Sequence, residues 1–337
     1  MSETTTTKPD KEVSPKIGET IGRSGKATLE KFLPFVAVIV LFVVFSITAT
    51  NFFTLRNVLS LALQTSTITL MGIGVTFAII TGGIDLSIGS VVALTGTVAV
   101  MVAIAGVPIW LSMIVGLLVG VLVGFLNGLM VTKLKLPPFI ATLGMMMVAR
   151  GVALTITNAA AYPAPEGFGV LGNGTILGTG AKFPGIPYPV IIMIAVAFVF
   201  HFILSKTRTG RYTYAVGSNE EAARLSGIKV SQVKNIAYII CGLLAGLVGI
   251  TLASRMVTSQ PNSAVGYELN AIASAVIGGT SLMGGVGTVG GTVIGSFIIG
   301  ILTVGLTMAG ANYYMQQIVI GLVVIGAVTI DQLKGRK

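Results

Sequence analysis

The sequence has very little of the chemistry that soluble enzymes use. Its 337 residues contain one cysteine and one histidine, and only 9% of them are charged. Soluble domains carry about a quarter charged residues, so this composition excludes a soluble globule. Because Cys241 and His201 each stand alone in an apolar run, we expect no disulfide framework, no metal site and no catalytic residues. A phosphate-binding G-x-x-x-x-G-K-[ST] pattern is also missing, so the chain by itself is predicted not to hydrolyse ATP.

Long apolar runs dominate what is present. Hydrophobic residues make up 53% of the chain, and its mean hydropathy is +0.94. Runs of about 20 apolar residues are typical of helices that cross a bilayer. We therefore predict an all-α polytopic membrane protein with about ten transmembrane helices, some of them short or broken at glycine-rich hinges. The runs lie at about 32–50, 58–80, 88–106, 108–131, 139–156, 188–205, 234–254, 267–279, 291–310 and 314–331.

The positive charge predicts the topology. Of the 21 Lys and Arg residues, 17 fall in four patches, before residue 32, at 133–135, at 206–234 and at 334–337. An even number of crossings places both termini and all four patches on one side, which the positive-inside rule assigns to the cytoplasm. The net charge of +10 therefore indicates membrane topology rather than nucleic-acid binding.

The chain divides into three predicted parts. Residues 1–31 are polar and read as a disordered cytoplasmic tail. Residues 32–333 form the transmembrane domain, and 334–337 form a cytoplasmic C-terminus. Within the domain, 157–187 is too polar to cross and is expected to be a long outer loop. The short run at 267–279 contains Glu268 and Asn270 and is expected to be a half-helix.

Glycines are abundant and concentrate in the spans. Gly116, Gly120, Gly124 and Gly128 recur every four residues, among 44 glycines in the chain. Such a face lets helix backbones approach closely where lipid provides no hydrophobic drive. We interpret it as a helix-packing surface.

Residues 206–234 form a polar, charged segment between apolar runs, called the 206–234 segment below. Its middle predicts one short helix, with a capping box of Ser218 and Glu221 and a terminating Gly227. Ala222, Leu225 and Ile228 give that helix a small apolar stripe. Two interpretations stay open: a solvated loop between spans, or a helix that docks in a groove of another protein.

Two glycine-rich stretches echo each other. Gly82–Gly89 aligns with Gly278–Gly285, and each follows an apolar run that ends in isoleucine. Paired glycine-interrupted segments in the two halves of a transporter point to its substrate path. They are either loops near the cytoplasmic face or broken helices beside a cavity.

Polar residues in and near the spans are candidates for a path. Asp85 is costly to place in or near a membrane, so it either faces a cavity or caps the next helix. The neutral polar residues either join helices or line a weakly polar pore. Arg56 and Arg255 lie in predicted outer loops, as docking charges or as interfacial anchors. The candidate path residues are Gln64, Ser66, Gly82, Gly83, Asp85, Ser87, Asn127, Asn270, Gly278, Gly279 and Ser281.

The pattern G-x-N-x-x-A-A-x-x-S-G-I, from Gly217 to Ile228, resembles the cytoplasmic coupling motif of ABC importer permeases. The resemblance runs from about Asn51 to Asp331 and is strongest to the ribose/monosaccharide type. It is carried by NFFTLRN (51–57), QTS (64–66), TGGIDLSIGS (81–90), FIATL (139–143), RTGRY (208–212), GYELNAIA (267–274) and IGGTSLMGG (277–285). The coupling residues that the resemblance implies are Gly217, Ser218, Asn219, Glu220, Glu221, Ala222, Ala223, Arg224, Leu225, Ser226, Gly227 and Ile228.

The resemblance also implies partners and a location. The permease would be a homodimer in the bacterial plasma (inner) membrane, with a cytoplasmic ATPase that binds ATP and Mg²⁺ and an outside sugar-binding protein. The chain itself would hold no cofactor, and Arg56 and Arg255 would meet the binding protein. The expected cargo is a monosaccharide, with ribose favoured.

Three alternatives stay open at this stage. The same machine would serve another pentose or hexose, a signalling sugar, a nucleoside or a branched-chain amino acid. An ion-coupled secondary transporter would need more clustered ionisable groups than Asp85, Arg150, His201 and Glu268 provide. A membrane-embedded enzyme would need a catalytic motif, and none surrounds Asp85 or Glu268.

Overall fold

A computed structural model describes residues 34–178 and 183–335. The predicted tail at 1–31 and Lys182 lie outside the described residues. Each apolar run coincides with a helix. In the described part, the helices are α1 (Pro34–Thr48), α2 (Leu55–Ile80), α3 (Ile88–Ile104), α4 (Ile109–Thr132), α5 (Pro138–Thr157), α6 (Val170–Asn173), α7 (Tyr188–Lys206), α8 (Arg208–Ser218), α9 (Glu220–Leu225), α10 (Val230–Met256), α11 (Tyr267–Ile277), α12 (Val289–Met308) and α13 (Tyr313–Gly335).

Helix starts follow local sequence signals. Thr54 precedes α2, and its hydroxyl accepts the Asn57 N–H at 3.3 Å. Thr288 caps α12 in the same way, accepting the Gly291 N–H at 3.0 Å. Pro138 opens α5, where its missing N–H leaves no hydrogen bond unmade. These caps fix where the chain enters the membrane-spanning helices.

Six of the described helices are long and apolar enough to cross a membrane. They are α2, α4, α5, α7, α10 and α12, and shorter apolar helices complete an all-α polytopic membrane fold. With 11 residues, α11 spans about 16 Å at 1.5 Å per residue, against a hydrocarbon core of about 30 Å. The predicted half-helix is therefore confirmed.

Among the six long apolar helices, α2 and α10 are the most buried, and α10 packs against α2, against the shorter and largely buried α3, and against α4. In contrast, α4, α5 and α7 expose apolar side chains such as Leu118, Met147 and Phe198. An apolar exposed face suits a bilayer, in which the solvent is itself apolar. The centre of the fold is thus formed by α2, α3 and α10, with lipid-facing helices around them.

The glycine face of α4 packs on other helices, as predicted, with Gly116 against α3 and the other three glycines against α10. Gly120 lies against the Gly242 backbone, Gly124 against the backbone at Tyr238, and Gly128 against Asn235. A Cβ on any of them would overlap its neighbour. The small residues therefore allow two helix backbones to approach without side chains between them.

The 158–187 loop folds back onto the end of α10. Its first strand, β1 (Tyr162–Pro163), pairs antiparallel with β4 (Thr258–Ser259), and β2 (Thr175–Ile176) pairs with β3 (Ile186–Pro187). Ser254 of α10 donates to the Phe168 carbonyl at 2.6 Å and accepts the Gly172 N–H at 2.8 Å. The described part of this loop contains no crossing helix, in agreement with its polar sequence.

The α4–α10 contact predicts a position-specific effect of one methyl group. Gly124→Ala places a Cβ against the backbone at Tyr238, so the two helices must separate. Overpacking of this kind costs about 1–3 kcal/mol. We expect a lower midpoint of thermal unfolding for Gly124→Ala in detergent.

The matched control is Gly144→Ala on α5, where a Cβ meets nothing within 4 Å. This variant is expected to unfold at the native temperature or slightly above it, because alanine favours helix. Equal midpoints for the two variants would contradict the packing account.

Candidate functional site

The 206–234 segment contains two short helices, α8 and α9, rather than the single helix predicted. Thr207 caps α8 by accepting the Gly210 N–H at 3.4 Å. The two helices meet at Asn219, whose backbone is extended with φ −160° and ψ 104°. The segment therefore forms a compact elbow at one end of the bundle, called the elbow end below.

The predicted capping box of Ser218 and Glu221 is wrong. Ser218 is the last residue of α8, so its backbone continues that helix. Asn219 caps α9 instead, and its side-chain oxygen accepts the Ala222 N–H at 2.9 Å. Asparagine is as good an N-cap as serine, so the sequence did not distinguish the two positions. The sequence analysis also did not predict α8, although Thr207 is a good N-cap for it.

The predicted end of α9 at Gly227 is confirmed. Gly227 has φ +82°, and the Ile228 N–H bonds the Ala223 carbonyl at 3.0 Å. This six-to-one bond is the mark of a Schellman ending, which favours glycine at the left-handed position. The turn directs the chain back into α10.

The apolar residues of the elbow separate into a buried base and exposed side chains, of which Leu225 is the most exposed. Ala223 packs with Val216, Val230 and Val233, and Ile228 joins them. Leu225 is 85% exposed, and Ala222 is exposed beside it. The predicted stripe thus uses Ile228 for its own core and presents Leu225 outward. The buried cluster around Ala223 holds α9 in place, and the exposed Leu225 is therefore held in a fixed position.

An ion-pair network fixes α9 to the start of α10. Glu220 accepts from Lys234 Nζ at 2.6 Å and from Arg224 Nη2 at 2.9 Å. The hydrogen bond from Lys234, with the charges of Lys234 and Arg224, holds the pKa of the Glu220 carboxyl below its usual range. Glu221 is exposed. Of the two adjacent carboxylates, Glu220 is therefore the structural one.

The two glycine-rich breaks end their helices in the same way. After α2, Gly82 has φ +78° and the Gly83 N–H bonds the Ala78 carbonyl at 2.9 Å. After α11, Gly279 has φ +88° and the Thr280 N–H bonds the Ala275 carbonyl at 2.9 Å. The structural repeat pairs Gly82 with Gly279, one residue later than the sequence alignment with Gly278.

Both breaks contact the elbow. The Gly285 N–H donates to the Ile80 carbonyl at 2.9 Å, which joins the second break to the end of α2. Gly217 of α8 lies against both groups, and a Cβ on it would overlap them. The Tyr214 hydroxyl also donates to the Gly287 carbonyl at 2.6 Å. The breaks were predicted to be either loops at one face of the membrane or broken helices beside a cavity. Their contacts with α8 place them at one end of the bundle, the elbow end.

Three candidate path residues form one buried cluster. Asp85 Oδ1 accepts the Ser87 N–H at 2.9 Å and the Ser87 hydroxyl at 2.6 Å. Asn127 Nδ2 of α4 donates to Ser87 Oγ at 2.8 Å. Asp85 thus stabilises the turn that leads into α3 but does not cap the helix, whose N-cap is Ser87 and makes no side-chain cap hydrogen bond. The cluster ties the first break to α4.

A second group of predicted residues lies near the opposite end. Gln64, Asn270 and Arg255 line one cavity of about 510 Å³, called the distal cavity below. Ser66 belongs to neither group, because its buried hydroxyl donates to the Leu63 carbonyl at 2.7 Å. Arg56 is exposed at the start of α2. The predicted path residues are therefore not one continuous set.

The distal cavity also contains residues that the sequence analysis missed. Gln316 and Gln317 stand side by side at the start of the last apolar run, a polar pair that could have been noticed in the sequence. The other missed polar side chains carry hydroxyl groups. The polar lining residues are Gln64, Thr67, Arg255, Tyr267, Asn270, Thr303, Tyr313, Gln316 and Gln317.

Comparison with known proteins gives a consistent set of relatives. Residues 57–328 match the family model described as branched-chain amino acid transport system / permease component. The chain is 42% identical to the ribose import permease protein RbsC of Escherichia coli (strain K12), covering 92% of this chain and 96% of the relative. Identity is 41% to the RbsC protein of Bacillus subtilis (strain 168), covering 91% and 94%. It is 37% to the L-arabinose transport system permease protein AraH of Escherichia coli (strain K12), covering 88% of each. No solved structure matched the chain.

The Glu220 network predicts a pH dependence of the elbow. A carboxyl with a depressed folded-state pKa contributes stability that is complete above its unfolded pKa, about 4.3. That contribution is lost as the pH falls through the folded-state pKa. We expect hydrogen-exchange protection of α9, relative to intrinsic rates, to persist below the usual glutamate range and then fall. Glu220→Gln should lower protection at neutral pH and remove this acid transition.

Glu221→Gln is the control, since it removes the adjacent exposed carboxylate and leaves the Lys234 pair in place. It should keep the acid profile of the native chain. Identical profiles for the two variants would show that Glu220 does not hold the elbow.

Proposed function

The chain belongs to the branched-chain amino acid transport system permease family and is an ABC sugar permease of the ribose type; on that premise we propose that ribose is its cargo. Ribose permeases of two distant bacteria match the chain over nearly its whole length. The polar groups of the distal cavity suit a neutral sugar, because amides and hydroxyls both donate and accept hydrogen bonds. The importer lies in the bacterial inner membrane, and both termini of the permease chain lie in the cytoplasm.

The energy for transport comes from a partner ATPase that docks at the elbow. Leu225 supports this proposal, since it is 85% exposed at the end of a short helix, beside the exposed Ala222, while Ala223 on the same helix is buried. A single large apolar side chain on a fixed platform suits a groove of another protein. ATP and Mg²⁺ bind to that partner, and the permease holds no cofactor and performs no catalysis itself.

The remaining partners are a second permease copy and a sugar-binding protein on the outer face. Arg56 at the start of α2 and Arg255 at the end of α10 support the docking of a binding protein there, since both lie at helix ends opposite the elbow. Rim charges such as these set encounter rate and register more than affinity. Arg255 also lines the distal cavity, so the docked protein would release its sugar beside the entrance.

The contacts of Gly217 suggest how ATP binding reaches the membrane. Closure of the ATPase would shift α9 and with it α8, to which it is joined at Asn219. Because α8 contacts the Ile80 carbonyl and Gly285 directly, the shift would act on both helix breaks together. Alternating access would follow from the movement of α2 and α11–α12, the helices that these breaks terminate or begin.

Uptake of labelled ribose tests this function. Bacteria that lack their own ribose importer would express the chain with its ATPase and binding protein. We expect ATP-dependent ribose uptake by the native importer. Leu225→Asp should abolish both uptake and co-purification of the ATPase, because a charge replaces the docking side chain while the buried base of the elbow is unchanged.

Leu225→Met is the conservative control and should retain most of the uptake, since methionine is also large and apolar. Uptake of another sugar in place of ribose would change the cargo and keep the machine. Uptake by this chain alone, driven by an ion gradient, would contradict the proposal.

A further inference from the structure

Four polar side chains of the distal cavity have no hydrogen-bond partner in the described part of the chain. The side chains of Thr67, Tyr267, Asn270 and Gln317 make no hydrogen bond to any described residue. Gln316 differs, because its Nε2 donates to Thr307 Oγ1 and to the Ala311 carbonyl at 3.1 Å each. Gln316 therefore holds α13 in place, and the other groups face the cavity.

The distal cavity reaches some distance into the helix bundle, which bears on the cost of leaving polar groups unbonded. Gln64 and Ile68 are nine and 13 residues from the start of α2, which places them about 14 and 20 Å along that helix. The cavity therefore extends from the rim toward the middle of the helix bundle. Thr67 is the unbonded group at that depth, 12 residues from the start of α2, and its hydroxyl costs free energy there unless water or a ligand bonds it. Tyr267, Asn270 and Gln317 lie within the first five residues of α11 and α13, nearer the rim. A cluster of four unbonded groups indicates a place where a polar molecule is held.

The chemistry of the lining selects a class of ligand. Amides and hydroxyls predominate, and no carboxylate lines the cavity within the described part of the chain. A metal or ammonium cation would need such an anionic partner. The one charged lining residue in the described part of the chain, Arg255, lies in the last turn of α10. This lining suits a neutral molecule with several hydroxyl groups.

The dimensions agree with a small ligand. The volume of about 510 Å³ lies within the range of small-molecule sites, about 300–1,000 Å³. Tyr267 and Tyr313 add flat apolar faces to the polar groups. Each neutral hydrogen bond strengthens binding by only about two- to tenfold, so the site would hold its ligand weakly enough for onward release.

We propose that the distal cavity is the first membrane subsite for the transported monosaccharide. Asn270, Gln317 and Thr67 bond its hydroxyl groups, and Tyr267 packs against its ring. This inference rests on the proposed function and deepens it, because it assigns the sugar to one cavity and excludes the Asp85–Ser87–Asn127 cluster as the first resting place.

Cysteine protection tests the subsite without requiring transport. The native Cys241 is buried and its thiol donates to the Gly74 carbonyl at 3.0 Å, so it serves as a silent background. Asn270→Cys in the purified importer would be treated with a small, membrane-impermeant thiosulfonate. We expect the thiol to react, and increasing concentrations of ribose to slow the reaction several-fold.

Leu269→Cys is the matched control on the same turn of α11. Leu269 is 63% exposed and does not line the cavity, so ribose should leave its reaction rate unchanged. An unreactive Asn270→Cys thiol, or one that ribose fails to protect, would overturn the proposal.

A pair of isosteric variants provides a second readout. Thr67→Val removes a free hydroxyl from the cavity, and Thr155→Val removes an exposed one from α5, where it bonds its own helix. We expect ribose uptake to fall about two- to tenfold in the first variant and to stay unchanged in the second. Native ribose uptake with no loss in Thr67→Val would overturn the subsite alone, whereas the absence of native uptake would overturn the proposed function.

Discussion

The contact of Gly217 with the Ile80 carbonyl and the Gly285 amide is the constraint on which the functional end of the molecule depends. It brings the elbow, the end of α2 and the second helix break together at one point. Only backbone atoms meet there, because Gly217 has no side chain to separate them. A backbone contact is stiffer than a contact between long side chains, whose rotamers absorb displacement. The elbow and the two breaks are therefore expected to move as one unit.

Close backbone contacts at glycine residues also organise the rest of the fold. In α4, glycines recur on the face toward α10, and the backbones of the two helices touch at Gly120 and Gly242. Water does not drive such contacts inside a bilayer, so close packing has to provide the stability. This packing leaves few polar groups in the centre. Some of those that remain are bonded, as in Asp85 with Ser87, and some line the distal cavity. Others, such as the hydroxyls of Thr69 and Tyr238, are buried without a hydrogen-bond partner in the described part of the chain.

Much of this arrangement could be predicted from the sequence, and the failures have physical causes. Apolar runs predicted the helices because bilayer thickness and hydrophobicity leave few alternatives. Gly227 was assigned correctly because a left-handed residue strongly favours glycine. Ser218 was not, since Ser218 and Asn219 are both good caps and only the extent of α8 decides between them. The grouping of Gln64 with Asn270 and Gln317 depends on how distant helices pack, which no local pattern encodes.

The most direct test of this account is the number of ribose molecules transported per ATP hydrolysed, measured in vesicles that contain the complete importer. Gly217→Ala places a methyl group against the Ile80 carbonyl and Gly285. Gly290→Ala, at the start of α12, meets nothing within 4 Å and is the control. The account predicts that Gly217→Ala lowers the ratio sharply while ATP hydrolysis continues, and that Gly290→Ala keeps the native ratio. A native ratio in Gly217→Ala would contradict the claim that the elbow drives the helix breaks through this contact.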